Sequence, residues 1–248
     1  MSVKNVKNYE ALSLIYDEVM GSINYDLWID LITVICSENN IGKSAKILEI
    51  GGGTGVLGQK LNSLGFSYIG SDYSFDMAKS AKNKGLDFVC ADCRNLPFNS
   101  RFDIVLFLFD GINYIFKIDE FMRIYEQVYS VLKIGGLFLF DITTQANSLN
   151  NFYNYREAFA GKNYAYIRDS YYDKKNNEQH NDFDIFIKEK EENYRRYSEK
   201  HCQKVHAIET VIASIPNELF NTEGIWGDFN RKRYDKKSQR VHFLLRKK

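Results

Sequence analysis

The chain has 248 residues, 33 Lys or Arg against 32 Asp or Glu, a net charge of +1, and 44% hydrophobic residues. This composition excludes a largely disordered chain, and the near-zero charge excludes a global field that would recruit nucleic acid or an anionic membrane. The longest unbroken apolar run, Ile104 to Phe109, is six residues, against about 20 for a membrane-spanning helix.

The N-terminus lacks a basic-then-apolar leader and the four cysteines make no disulfide framework, so a cytoplasmic location is expected. In chain order, residues 8 to 37 give two amphipathic helical segments broken near Gly21-Ser-Ile-Asn24, and residues 1–40 are expected to form a helical flap. From Ala45 to Asp141 short apolar runs alternate with helical stretches, the mark of a parallel sheet wrapped by helices. Strands are expected at Ile47–Ile50, Ser67–Gly70, Asp87–Cys90, Ile104–Phe109 and Leu137–Asp141. Between the last two, Phe121, Ile124, Tyr125, Val128, Val131 and Leu132 recur at helical spacing over 119–133, and Gly135-Gly136 ends the run.

After Asp141 the character changes. Residues 151–206 are dense in Tyr, Lys, Glu and Asn with loose alternation, as in Asp182-Phe-Asp-Ile-Phe-Ile-Lys188, so an antiparallel insertion over about 146–206 is expected. A helix over 207–214 and strands near 219–228 and 239–246 return the chain to the sheet, making 1–145 and 207–248 one domain around that insertion. Residues 231–248 hold nine Lys or Arg and one Asp, a local +8. Val241, Phe243, Leu244 and Leu245 between those charges indicate a core strand with a charged rim, so no specific nucleic-acid site is expected.

The chemistry concentrates at strand ends. Ile47-Leu-Glu-Ile-Gly-Gly-Gly-Thr-Gly55 runs from a strand through a glycine-rich turn into a helix, and Gly53-Thr-Gly-Val-Leu-Gly58 matches the dinucleotide fingerprint literally. Glu49 argues against a phosphate ligand, because a carboxylate there repels a pyrophosphate and suits the amine and sulfonium of S-adenosylmethionine. Asp72, ending the second strand, can accept both hydroxyls of a ribose. Asp92, in Cys90-Ala-Asp-Cys-Arg-Asn-Leu-Pro-Phe98 after the third strand, can accept from an adenine amine.

Glu49 with its glycine-rich turn, Asp72 and Asp92, at intervals of 23 and 20 residues, resemble class I S-adenosylmethionine-dependent methyltransferases over about 100 residues. Leu132-Lys-Ile-Gly-Gly-Leu137 resembles that family's turn into the fifth strand, with Ile134 in place of the usual proline. Tyr16-Asp17, Tyr25 with Trp28, Asp110-Gly-Ile-Asn-Tyr114 and Arg195-Arg-Tyr-Ser-Glu-Lys-His201 resemble bacterial small-molecule methyltransferases akin to glycine and amino-sugar N-methyltransferases, while His206 stands where relatives commonly have tyrosine.

The resemblance implies a doubly wound, Rossmann-like α/β sheet with N-terminal helices and an antiparallel β lid. It implies methyl transfer from S-adenosylmethionine to nitrogen or oxygen of a small molecule. Cofactor contacts are expected from Tyr16, Trp28, Glu49, Gly51, Gly53, Asp72, Tyr73, Asp92, Cys93 and Phe109. Substrate contacts are expected from Asn113 and from Arg195, Tyr197 and Glu199, which with His201 share one face of a lid strand. Asp110 and His201 are the candidate catalytic bases.

Cys90 and Cys93 form a C-x-x-C with no second pair, and the four histidines lack metal-ligand spacing, so no metal site is expected. Three other functions remain in view. An NAD-dependent oxidoreductase shares the fingerprint, and a catalytically silent binding protein shares the whole site. A nucleic-acid methyltransferase is disfavoured, because Pro97 and Pro216 are the only prolines and its Asn/Asp-Pro-Pro-aromatic motif is absent.

Overall fold

The computed structural model describes residues 3–99, 101–190 and 193–248. The main sheet contains β2 (Lys46–Ile50), β3 (Ser67–Asp72), β4 (Phe88–Cys90), β5 (Phe102–Phe107), β6 (Leu132–Thr143), β11 (Phe220–Gly227) and β12 (Arg240–Lys247), in the order β11-β12-β6-β5-β2-β3-β4. The five central strands run parallel, and β12 is antiparallel to both neighbours. This is the doubly wound α/β sheet that the alternation of elements implies.

Alternate residues of each strand feed two cores. Ile47, Ile104, Leu106, Leu137 and Leu139 pack on α2 (Asp26–Glu38), α3 (Val56–Ser63) and α4 (Phe75–Asn83). Leu48, Val105, Phe138, Phe140 and Phe243 pack on α5 (Glu120–Val131) and α7 (Ile208–Ser214). The expected stripe of α5 is buried, but the helix ends at Val131 and the chain enters β6 at once, five residues before the expected Leu137. Phe102 pairs with Leu132, and Lys133 bonds Asp103 at 2.6 Å, so the sheet captures residues that helical periodicity assigns to α5.

A second sheet has the order β1-β10-β9-β8-β7, from β1 (Val3–Asn5), β7 (Asn154–Ala160), β8 (Tyr164–Asp173), β9 (Glu178–Lys188) and β10 (Tyr194–Lys204), entered through the short helix α6 (Gln145–Asn151). β7 to β10 are antiparallel hairpins, whereas β1 lies parallel to β10. One face buries Tyr166, Phe183 and Ile185 against Ala11, Leu12 and Ile15. β1 carries no apolar signal, since its three residues are all exposed.

The flap also departs from expectation. Its first segment is only a 3-10 turn over Leu12–Leu14 and the single-turn α1 (Tyr16–Val19). The cause is tertiary: the buried Glu199 carboxylate accepts the N–H groups of Tyr9, Ala11 and Leu12, and Tyr9 takes φ 67°. No helix among the described residues is long and apolar enough to cross a membrane.

Candidate active site

β2 and β5 are neighbours whose connections leave in opposite directions along the sheet, which opens a crevice at their carboxyl ends. The turn after β2 meets this crevice with Gly51 and Gly53 at φ 68° and 58°, a region that L side chains rarely adopt. A Cβ on Gly52 would lie 2.9 Å from Glu49 Oε2 and 3.0 Å from Tyr68 Oη, so backbone and carboxylate touch there. Tyr16, Tyr25, Glu49, Gly51, Gly53 and Phe109 line one cavity, bringing five of the expected cofactor residues together. The flap closes over it, with Asp17 accepting from Thr54 Oγ1 at 2.5 Å and from Lys84.

Two carboxylates dominate the electrostatics. Glu49 is 2% exposed and accepts from Tyr68 Oη at 2.5 Å; burial, opposed by that bond and reinforced by Asp72, pushes its carboxyl up to about 7. Asp72 accepts the N–H groups of Gly53 at 2.9 Å and Ser74 at 2.8 Å, yet burial pushes it up to about 6. No neighbouring cation lowers either carboxyl, so a cationic ligand supplies what the pair lacks and a pyrophosphate does not. The residues present therefore fit S-adenosylmethionine.

A stability consequence follows for the ligand-free protein. Glu49 has its folded pKa above its unfolded value, so its contribution is fully present below pH 4.5 and is lost as pH rises through 7. Glu49→Gln, which can still accept from Tyr68, is expected to raise stability near pH 8 by about 1–3 kcal/mol. Urea unfolding near pH 8 and again below the unfolded pKa checks this, and a gain of equal size at both would locate its cause elsewhere.

Beyond β4, Asp92 is engaged by Arg94, whose Nε and Nη2 donate at 2.9 and 2.7 Å, and these bonds hold its carboxyl below the ordinary range. The expected adenine contact thus already has a charged partner, and Arg94 bridges onward to Glu120. Burial pushes the Cys93 thiol up to about 12, and Tyr73 is exposed beside Asp72.

The end of β5 is strained: Phe109 and Asp110 are consecutive non-glycine residues at φ 57° and 51°. The fully buried Asp141 on β6 holds this turn, accepting the Phe109 N–H at 3.2 Å, the Asp110 N–H at 2.6 Å, Trp28 Nε1 at 3.3 Å and Arg240 Nη1 at 2.7 Å. Trp28 stacks on Phe109 with centroids 4.0 Å apart, supporting the cavity wall from behind rather than lining its mouth.

Asp110, a candidate base, has both oxygens occupied, Oδ1 by Arg240 and Oδ2 by Gln203, each at 2.6 Å. Burial raises its carboxyl against the pull of Arg240. Asn113, expected at the substrate, is instead buried and bonded to main chain at Thr143 and Lys204, so it ties β6 to β10. Sequence reasoning missed Asp141, Arg240 and Gln203. Only their shared neighbourhood marks them, and strand pairing creates it.

On β10, Tyr197, Glu199 and His201 do share a face, but their surroundings differ. Arg195 is solvent-facing and pairs with Glu189 at 2.8 Å, while Tyr197 packs against the small core of Ala11, Leu12 and Ile15. Glu199 is not free to meet substrate. Burial alone would raise its carboxyl, but bonds from His201 and the N–H groups of Leu12, Ala11 and Tyr9 outweigh this and lower it. His201 is 2% exposed, with Nε2 3.0 Å from Glu199 and Nδ1 3.2 Å from Tyr114 Oη, which lies 2.6 Å from Tyr9 Oη. Tyr9 packs edge-on against Tyr16 of the cavity. His206 is buried, bonding the Ile115 carbonyl at 2.8 Å.

Between flap and lid lies a further cleft of about 350 Å³, bounded by Val19, Met20 and Ile23 on one side and by Phe152, Tyr155, Glu157 and Arg168 on the other. Arg168 lies over Phe152 and Phe183 and bonds Ser170 and Asn181; Phe183 in turn packs against His201. No motif in the sequence marks Arg168.

Comparison with known proteins agrees with this geometry. The methyltransferase-domain family matches residues 47–136. The chain is 25% identical to a protein named as a methyltransferase in Geobacillus sp. (strain WCH70), over 96% of this chain and 99% of that one. It is 26% identical to YqeM of Bacillus subtilis (strain 168), likewise named as a methyltransferase, over 96% and 97%. Among solved structures, an S-adenosylmethionine-dependent methyltransferase from Clostridium acetobutylicum superposes with TM-score 0.80 at 25% identity, covering 96% of this chain and 98% of that one. The sugar N-methyltransferase KedS8 from Streptoalloteichus superposes at 0.76 with 16% identity, covering 98% of each chain, a likeness of fold.

Proposed function

Because the chain is a class I S-adenosylmethionine-dependent methyltransferase, we propose that it methylates nitrogen or oxygen of a small molecule held between the flap and the lid of residues 146–206. The observation that carries this reading is the cleft of about 350 Å³ between them, whose size suits a metabolite and whose walls offer apolar contacts with Arg168 and Glu157 as polar anchors. KedS8, a sugar N-methyltransferase, and CalS10, an amino pentose methyltransferase, share the fold. Nucleic acid and membranes have no part in it, and the protein acts in the cytoplasm. Several cations of the basic C-terminal segment are engaged within the chain: Arg231 by Glu38, Arg246 by Glu223, and Lys247 by the carbonyls of Tyr129 and Leu132.

When bound, S-adenosylmethionine supplies an electrophilic methyl group on a sulfonium sulfur. Glu49, the turn at Gly51 and Gly53, Asp72 and Tyr16 would hold it, with Tyr73 and Phe109 at the edges of the site. The protein's work is then positioning and exclusion of water, which the flap and lid perform. Where the acceptor must lose a proton, a relay is in place. Glu199, which can only accept, fixes the Nε2–H tautomer of His201 and leaves Nδ1 to accept from Tyr114. Tyr114 hands its hydroxyl proton to His201 as Tyr9 or the acceptor replaces it, so the phenols stay neutral, consistent with burial raising both of them.

Labelled S-adenosylmethionine incubated with the protein and a metabolite extract identifies the acceptor through the labelled product. With that acceptor, Tyr114→Phe and His201→Gln are expected to lower turnover by about 10²–10⁴-fold while S-adenosylhomocysteine affinity stays within about twofold. Normal turnover in both variants would remove the relay from the mechanism. Glu199→Ala is a poor probe, because it also releases the N-terminal segment.

A further inference from the structure

The spacing of the histidines along the chain offers no ligand set for a metal, but strand register supplies one. In the β9–β10 pairing His180 stands opposite Cys202 and Glu178 opposite Lys204. Glu178, His180 and Cys202 thereby meet on the outer face of the lid, opposite the face that buries Gln179, His201 and Gln203. Cys202 Sγ lies 3.6 Å from His180 Nε2 and 3.8 Å from Glu178 Oε2, and those two atoms are 3.6 Å apart.

The 3.6 Å between imidazole and carboxylate is too long for a hydrogen bond, so that pair does not satisfy itself. The triangle does match one face of a zinc tetrahedron. With bonds of about 2.3 Å to sulfur and about 2.0–2.1 Å to nitrogen or oxygen, tetrahedral donors stand about 3.6 Å apart from sulfur and about 3.4 Å apart otherwise. Two further contacts prepare the site. Tyr171 stacks on the His180 ring with centroids 4.5 Å apart and planes within 5°, holding the imidazole in place. Lys204 approaches Glu178 through the other oxygen, Oε1, at 3.8 Å, which leaves Oε2 facing the imidazole and thiol.

We propose that Glu178, His180 and Cys202 form a zinc-binding site on the outer face of the lid, with the fourth position open to solvent. Binding forms one Zn–S, one Zn–N and one Zn–O bond and releases the Cys202 thiol proton to solvent. The ion ties β9 to β10 directly behind His201 and Gln203, so it stiffens the lid without entering the cleft.

The test uses the full chain stripped with a chelator and titrated with Co²⁺, then with Zn²⁺ in competition. One equivalent of Co²⁺ is expected to produce a thiolate-to-cobalt charge-transfer band with the ligand-field bands of a four-coordinate site, and Zn²⁺ should abolish both. Cys202→Ser should lose the charge-transfer band, and the Cys90→Ser/Cys93→Ser double variant should keep it. Absence of the band in the wild-type chain, or its survival in Cys202→Ser, overturns the proposal. Should Cys202→Ser fail to fold, His180→Gln decides: loss of more than about tenfold in cobalt affinity supports the site, and unchanged affinity overturns it.

Discussion

Replacing Arg240 with alanine is expected to lower the stability of the fold by about 3–5 kcal/mol, the range for leaving buried charge without its partner. Arg240 bridges Asp110 and Asp141 at 2.6 and 2.7 Å, and Asp141 is fully buried. Burial opposes the guanidinium charge, but the two carboxylates outweigh it and push its pKa up, so the arginine stays charged. Its removal leaves two carboxylates facing each other beneath a turn whose Phe109 and Asp110 are already strained. Arg240→Lys should recover little of the loss, because an ammonium lacks the planar fork that reaches both partners. Urea unfolding measures the effect, and a loss under about 1 kcal/mol in Arg240→Ala would show that the bridge does not hold the turn.

Asp72→Ala is expected to weaken S-adenosylhomocysteine binding by about 10–100-fold, the equivalent of roughly 1.5–3 kcal/mol for hydrogen bonds to a charged acceptor. The same carboxylate orders the Gly53 and Ser74 N–H groups, so part of the loss comes from a looser turn. Because burial pushes Asp72 up to about 6, wild-type affinity should fall as pH drops through that value, when the protonated carboxyl loses acceptor capacity. Asp72→Asn should bind weakly with no such dependence. Calorimetry on either side of that pH is decisive: unchanged affinity in a folded Asp72→Ala protein removes this residue from the cofactor site.

The legible parts of the molecule are those where chemistry and chain order coincide. The run Ile47 to Gly55 carries strand, turn and carboxylate within nine residues, so Glu49, Gly51 and Gly53 are found together in both sequence and space. The α5 stripe as far as Val131 follows from helical periodicity, and the core of β12 from the apolar residues set between its flanking charges. What escaped depends on partners distant in sequence. Arg240 meets Asp110 across 130 residues, and Glu199 captures Tyr9 across 190. Asn113 looked like a cleft residue because it follows a strand end, yet its amide completes main-chain bonding of Thr143. The second half of the lid strand alternates as expected, but alternation does not say which side chains are covered, and Arg195 faces solvent in an ion pair with Glu189.

The N-terminal segment works as a strap. Residues 3 to 17 pair with the lid through β1, anchor on Glu199, and reach over the glycine turn through Asp17. One stretch of chain thus touches both the lid strand and the glycine turn, so the two walls share a single mechanical element and neither shifts without straining the other's contacts.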